Sequence, residues 1–160
     1  MNDQDPPQAK PFAIMRMQKL KGGSVIASDA HIDRSQHTPK ADPALTPQNI
    51  YLIGERNESL RAKVDETICH VGIKKRSNAV ECVEFLFTAS PGFFAGDNSP
   101  IKVIEFARHS KQFMNKLEEH GMVFVKAAVH LDEQTPHIVA YGIPLNKRGR
   151  RNARGYFGDR

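Results

Sequence analysis

Two histidines and two carboxylates crowd into one short stretch, His130-Leu131-Asp132-Glu133-Gln134-Thr135-Pro136-His137. An apolar, β-branched run at 123–131 precedes it and another at 138–145 follows. The polar residues 132–136 between them read as the loop of a hairpin. His130 then closes one strand and His137 opens the next, so both imidazoles and the carboxylates of Asp132 and Glu133 gather at one end of a buried ribbon. Imidazole mixed with carboxylate suits Mn, Fe, Co, Ni or Zn, and carboxylate-rich variants also take Mg. The rival reading is a polar hairpin tip that hydrogen-bonds to itself.

Charge supplies a second signal. The 160 residues carry a net charge of +5, but residues 1–145 balance, with 17 basic against 17 acidic side chains. The surplus lies in 146–160, which hold Lys147, Arg148, Arg150, Arg151, Arg154 and Arg160 against Asp159 alone. A local basic run seeks phosphate or an acidic surface; otherwise it is a solvated tail. Of two smaller groups, Arg16 with Lys19 and Lys21 makes the end of the first strand locally positive, while Lys74-Lys75-Arg76 on charge alone reads rather as a solvated turn. No apolar run approaches the ~20 residues of a membrane span. The N-terminus is polar and acidic, unlike a signal peptide. Cys69 and Cys82 match no metal or redox spacing and read as small core residues of a cytosolic protein.

The elements that must position these groups follow from periodicity. Residues 1–11 form a Pro-rich, flexible lead-in. Residues 12–20 alternate as a first strand, ended by Gly22-Gly23. A short apolar patch at 24–27 then gives way to a polar loop reaching residue 49, with His31, Arg34 and His37; loops of this length inside a compact domain are usually functional. Residues 50–53 suit an edge strand. Asn57-Glu58-Ser59 caps a helix reaching about Val71, with Leu60, Val64, Ile68 and Val71 on one face. Residues 80–90 form a strand with Val83, Phe85 and Phe87 on one side and Cys82, Glu84, Leu86 and Thr88 on the other. A loop at 91–97 carries Phe93 and Phe94, which read as docking on the core, with stacking on a base as the alternative. Ser99-Pro100 opens a helix to about His120, with Ile101, Ile104, Phe106, Phe113, Met114 and Leu117 inward, stopped by Gly121. This order predicts an α+β two-layer sandwich, an antiparallel β-sheet with helices packed on one face.

The hairpin at 130–137 resembles the signature of the MobV (Pre/Mob) plasmid mobilisation relaxases, members of the HUH endonuclease class. Other blocks are similar in the same order. They are Met15-Arg16-Met17-Gln18-Lys19-Leu20-Lys21, His31-Ile32-Asp33-Arg34, Thr38-Pro39-Lys40-Ala41-Asp42-Pro43, and Thr46-Pro47-Gln48-Asn49. Lys75-Arg76-Ser77-Asn78-Ala79-Val80, Thr88-Ala89-Ser90-Pro91 and Gly155-Tyr156-Phe157-Gly158-Asp159-Arg160 complete the set. The similarity covers roughly residues 12–160. It implies a relaxase domain there, in a protein that continues on the C-terminal side.

The resemblance implies an enzyme that nicks one strand of a plasmid origin, stays joined to the 5′ phosphate and reseals, in the bacterial cytoplasm. Its partners would be single-stranded or hairpin origin DNA and other relaxosome and coupling proteins, with no membrane contact in this segment. It implies Mn2+ or Mg2+ on the hairpin and a histidine nucleophile, here His31, with His37 and Tyr51 as alternatives. Arg34 would hold the phosphate as a bidentate donor, and Asp33 or Asp29 would orient the imidazole. Arg16, Lys19, Lys21, Lys74, Lys75, Arg76, Arg148, Arg150 and Arg151 would neutralise DNA phosphates, and Asn49 is a polar contact by motif match. Phe93, Phe94 and Phe157 are stacking candidates.

The sequence departs from the family pattern at two positions. Val139 stands where a further histidine is usual, and Ile32 where Asn commonly follows the nucleophile. With His130 and His137 remaining, Glu133 becomes the third metal ligand and Asp132 the runner-up or a supporting partner. Two other readings stand beside this one: an origin-binding or recombination module with a degenerate metal site, and a zinc hydrolase of small molecules.

Overall fold

The computed structural model describes residues 10–74 and 76–158; Lys75 and nearly all of the expected lead-in lie outside the described residues. The elements are β1 (Ala13–Leu20), α1 (Gly23–Ile32), β2 (Ile50–Ile53), α2 (Leu60–His70), β3 (Cys82–Ala89), α3 (Pro91–Phe94), α4 (Ser99–Glu119), β4 (Val123–His130), β5 (His137–Ile143) and α5 (Ala153–Phe157). The strands form one sheet in the order β1-β3-β5-β4-β2, antiparallel throughout. The expected hairpin is β4–β5, and its register sets His130 directly opposite His137. β3 pairs the other side of β5, which brings Thr88 opposite His137 and Leu86 opposite Val139.

Strand alternation divides the core into two layers of packing. On one face Val25 and Ile32 of α1 and Leu60, Val64 and Ile68 of α2 cover Cys82, Ala128, Val139 and Tyr141. On the other, Met114, Val103, Phe106, Ala107 and Leu117 of α4 cover Val83, Phe85, Phe87, Ala127, Ile138 and Ala140. The α+β class and the antiparallel sheet with helices packed on it therefore stand, with helices on both faces instead of one. Each large side chain that these layers bury completely is worth about 1.5–3 kcal/mol. α2 begins where its cap sequence places it, with Ser59 Oγ accepting from Ala62 N at 3.2 Å. Gly121 ends the α4 region at φ 108, where a Cβ would lie 2.2 Å from the Asn146 carbonyl carbon.

Several local expectations are corrected. The segment read as a patch and a loop opens with helix α1, which places His31 in its last turn. Its start is held by Ser24 Oγ, which accepts from Lys21 N at 3.0 Å. Only Val25 and Ile32 of α1 are buried, two full turns apart, while Ile26 is 59% exposed; so sparse a stripe leaves little period to read. In α4, Ile101 and Ile104 face solvent, and the inward stripe runs through Val103, Phe106, Ala107, Ser110 and Met114. Residues 91–94 form the short helix α3, and Phe93 and Phe94 pack on Phe106 of α4. These rings serve the core, the favoured of their two expected roles. Cys82 is buried as expected, but Cys69 is exposed.

Candidate functional site

The hairpin sets the geometry of its two imidazoles through backbone carbonyls. His130 Nε2 lies 3.1 Å from the Ile32 carbonyl oxygen. A carbonyl only accepts, so this nitrogen carries the proton and Nδ1 carries the lone pair. His137 Nδ1 lies 3.2 Å from the Thr135 carbonyl oxygen, which likewise leaves its Nε2 bare. These two unprotonated nitrogens face each other at 3.2 Å. Two lone pairs at that separation repel unless a cation or a shared proton lies between them. Burial, followed by the charges of Arg34 and His137, pushes the His130 pKa down to about 3, so His130 itself is a poor holder of such a proton at neutral pH. Two nitrogens each about 2.0–2.1 Å from one ion lie about 2.9–3.4 Å apart. The spacing therefore suits joint ligation of a metal.

Glu133 completes the set, with Oε1 3.8 Å from His137 Nε2. Ligand atoms of His31, His130 and Glu133 also lie within 4.8 Å of one another, and the His31 and His130 ring centroids are 5.9 Å apart. Helix α1 and the hairpin thus bring His31, His130 and Glu133 together, and His137 adjoins His130 and Glu133 from β5. His31, Glu133 and His137 open onto a cleft of about 670 Å³ lined also by Lys40, Leu86 and Thr88, with Gln134 and Thr135 at the hairpin tip, and His130 lies buried behind them. His31 keeps its cleft side open. Packing on its other side, then the charge of Arg34, lowers its pKa from 6.5, while the carboxylate of Glu84 works in the opposite direction.

Asp132 takes no part in this cluster. Its side chain is fully buried, and its carboxylate accepts from Arg34 Nε at 3.0 Å, Arg34 Nη2 at 2.9 Å, Thr46 Oγ1 at 2.9 Å and Asn49 Nδ2 at 2.9 Å. Burial alone raises a carboxyl pKa, but the bonds from Arg34, Asn49 and Thr46 outweigh it and hold Asp132 well below the usual range. It is the supporting partner foreseen as one of its two roles. Arg34 differs from expectation. Its guanidinium is taken up by Asp132 and by Glu133 Oε1 at 2.7 Å, and its side chain is 5% exposed. It orients the Glu133 carboxylate, and a fork so engaged does not face a phosphate.

Asn49 is also corrected. It is buried, donates to Asp132 and accepts from Leu131 N at 2.8 Å, so it braces the hairpin and does not reach DNA. Neither Asp33 nor Asp29 touches the His31 ring. Asp33 accepts from Tyr51 and Lys126, and Asp29 from Ser59 and Leu60. Tyr51 spends its hydroxyl on Asp33 at 2.8 Å, and burial together with that bond raises its pKa further above the neutral range. His37 is exposed and is not among the groups lining the cleft. Val139, 2% exposed, packs in the core beside Ala128 on the same face as His137.

The basic residues divide into two places. Arg16 pairs with Leu86 across β1 and β3, on the strand face that lines the cleft. Lys74, Arg76, Arg150 and Arg151 line a separate cavity of about 460 Å³. It lies toward the Cys82 end of β3, about 20 Å along the strand from Thr88 at ~3.3 Å per residue. Lys21 donates to Asn78 Oδ1 at 2.8 Å near that end, Lys19 sits 4.8 Å from the Phe157 ring, and Arg148 is exposed. The Phe157 ring is thus occupied by a lysine.

Three site groups escaped the sequence reading: Lys40, Thr88 and Glu84. Thr88 and Glu84 alternate on β3 with Leu86, so once Leu86 is known to line the cleft they follow from period two. Glu84 Oε2 accepts from Tyr141 at 2.9 Å and Ser28 at 3.3 Å, beneath α1. Lys40 has no periodic signal at all.

A profile of the plasmid recombination enzyme family (Mob_Pre) matches residues 10–160. The plasmid recombination enzyme type 1 of Staphylococcus aureus is 30% identical over 156 residues, 92% of this chain and 38% of the relative. A 65 kDa protein of Zymomonas mobilis is 28% identical over 93% of this chain and 26% of its own length. The chain thus spans well under half of these curated relatives. Among solved structures, the Mn-bound MobM relaxase domain (MOBV; Mob_Pre) with plasmid pMV158 oriT DNA aligns with a TM-score of 0.73 at 26% identity, over 93% of this chain and 78% of that one.

Proposed function

The chain belongs to the plasmid recombination enzyme (Mob_Pre) family, a MobV-type relaxase family, and from that premise we propose that residues 10–160 form a metal-dependent DNA-nicking and rejoining domain. It acts on single-stranded or hairpin DNA of a plasmid transfer origin, in the bacterial cytoplasm, in company with other relaxosome and coupling proteins. The observation that carries this reading is that His31, Glu133 and His137 share one cleft, with the buried His130 in ligand reach of each of them. His130, Glu133 and His137 would hold a divalent ion, Mn2+ or Mg2+. Such an ion supplies Lewis acidity toward a non-bridging phosphate oxygen.

The chain's own residues do the rest. His31, neutral because its pKa lies below 6.5, attacks phosphorus with a ring nitrogen lone pair. The N–P bond forms as the P–O3′ bond breaks, the 3′ oxygen leaves and takes up a proton, and the second ring nitrogen gives its proton to solvent. The phosphoramidate retains the 5′ end until a 3′-hydroxyl attacks it and reseals the strand. Arg34 keeps the Glu133 carboxylate turned to the cluster. Arg16 and Lys40 neutralise phosphates at the cleft, while Lys19, Lys21, Lys74, Arg76, Arg148 and Arg150 do so farther along the sheet, which makes binding strongly salt-dependent. Arg151 is set aside, because its Nε and Nη2 are buried and its Nη1 donates to the Val80 carbonyl at 2.9 Å.

The test is mass spectrometry of the protein–DNA adduct formed with Mn2+ and single-stranded origin DNA. A 5′-phosphoryl adduct on His31 that His31→Ala abolishes supports the reading, and an adduct on another side chain overturns this assignment. Burial of Val139 favours one second reading, a module that binds the origin without cutting it. Retained binding with no Mn2+-dependent cleavage would select it.

A further inference from the structure

The turn that ends α1 reaches the site through three of four consecutive residues. His31 faces the cleft, the Ile32 carbonyl receives His130 Nε2–H, and Arg34, at φ 55, sends its guanidinium to Asp132 and Glu133. The remaining residue, Asp33, caps the helix, and its carboxylate is bonded to two other strands. Asp33 Oδ2 accepts from Lys126 Nζ of β4 at 2.7 Å, and Oδ1 from the Tyr51 hydroxyl of β2 at 2.8 Å. The same hydroxyl lies 3.3 Å from the Ile32 carbonyl oxygen. Lys126 also donates to the Glu58 carbonyl and lies 3.8 Å from Asp29 Oδ1.

Lys126 has none of its surface exposed. A lysine so placed costs stability unless it is fully paired, and an apolar residue of similar size packs there more cheaply. Its orientation is also specially arranged. A register shift between Phe124 and Lys126 interrupts the β4–β5 ladder, and such a bulge re-aims the side chain that follows it. The shift puts Lys126 on the face of Ala128 and His130, toward α1, in the same strand that carries a candidate ligand.

We propose that Lys126, Asp33 and Tyr51 form a positioning clamp. It fixes the α1 turn so that the Ile32 carbonyl holds His130 as the Nε2–H tautomer, with Nδ1 aimed at His137. The clamp rests on the reading of His130 as a metal ligand. None of its three members touches the cleft, so they are positioning residues. Groups that orient a metal-binding histidine typically change metal affinity by about 10–100-fold when removed. The clamp acts through one further bond, which puts the expected loss near tenfold.

The test uses the metal-free protein first. Nitrogen-resolved NMR of the imidazoles should show His130 as one tautomer, Nε2–H, in the wild type and in a His31→Ala control. Asp33→Asn, and more mildly Tyr51→Phe, should give a mixture of tautomers, and calorimetric titration with Mn2+ should show the Kd raised about tenfold. A folded Asp33→Asn protein with an unchanged tautomer and Kd overturns the clamp. Should Asp33→Asn fail to fold by circular dichroism, Tyr51→Phe decides on the same two readings. A wild type that holds the tautomer and binds no Mn2+ defeats the metal reading of the site, and the tautomer of the variants then decides the clamp alone.

Discussion

Removal of the Asp132 carboxylate should be the most damaging single change around the hairpin outside the ligands themselves. The side chain is fully buried and receives four hydrogen bonds, two of them from an Arg34 guanidinium that is itself 5% exposed. Deleting one partner of a buried ion pair costs about 3–5 kcal/mol, because the other charge is left uncompensated. Glu133 still accepts from Arg34 at 2.7 Å, so Asp132→Ala belongs at the lower end, about 3 kcal/mol. For a domain of this size, that is a fall in Tm of about 6–12 °C. Calorimetric unfolding of single and double variants gives the measurement. The double change Asp132→Ala with Arg34→Met removes both charges, so its loss should fall short of the summed single losses by at least about 1 kcal/mol. Mn2+ affinity should stay weakened in the double variant, because Glu133 has lost its orienting donor. The pH dependence has a definite sign. The Asp132 pKa is lowered from 3.8, so its contribution is complete above about pH 4 and disappears as pH falls toward the folded-state value. A loss below about 1 kcal/mol for Asp132→Ala, or strict additivity of the two single changes, would refute the argument that this pair organises the loop.

Other outcomes follow from the same geometry. Glu84→Gln removes the charge that raises the His31 pKa. The imidazole then stays neutral to lower pH, and the acid limb of the nicking-rate profile should move down; an upward move contradicts the placement of Glu84. Val139→His returns an imidazole to the strand face shared with His137. Mn2+ should bind more tightly by calorimetry while the domain loses about 1–3 kcal/mol to overpacking beside Ala128. Arg76→Ala with Arg150→Ala should lower the slope of log K against log salt by about 0.7 per lost phosphate contact on single-stranded DNA. Fluorescence polarisation across a salt series checks this, and the Mn2+ Kd should not change.

The fold was legible where one strong period governed a whole element. β3, β4 and β5 show nearly continuous apolar alternation because each is buried on both faces, and α2 carries both a cap and a stripe. α1 was not legible, since only two of its residues are buried and its cleft side carries polar groups. Helix α4 shows the opposite failure. It offers more apolar residues than its buried stripe uses, and Ile101 and Ile104 could not be told from Val103 and Ala107 by hydrophobicity alone. Helices on both faces follow from that division, because the five strands present two apolar surfaces and one helical layer covers only one.

At the site, the crowding of polar groups on the hairpin was readable and its support was not. His130, Glu133 and His137 sit within one turn, so local spacing alone brings them together. Arg34, Asn49 and Asp33 are far from the hairpin in sequence, and residue type suggested contact with phosphate or with the nucleophile. Burial reverses each assignment. An arginine that is 5% exposed with three hydrogen bonds to carboxylates has no donor geometry left for a bidentate phosphate grip. An asparagine that donates to Asp132 and accepts from Leu131 is engaged at both ends of its amide. Polar residues near the cleft thus hold the hairpin's His and Glu side chains in place, and under the proposed function electrostatic contact with DNA falls to exposed bases such as Arg16 and Lys40. Substitution of the two kinds should therefore separate cleanly. Changes at Arg34, Asn49 or Asp132 should alter stability and Mn2+ affinity at constant salt dependence. Changes at Arg16 or Lys40 should alter the salt dependence and leave Mn2+ affinity as it was.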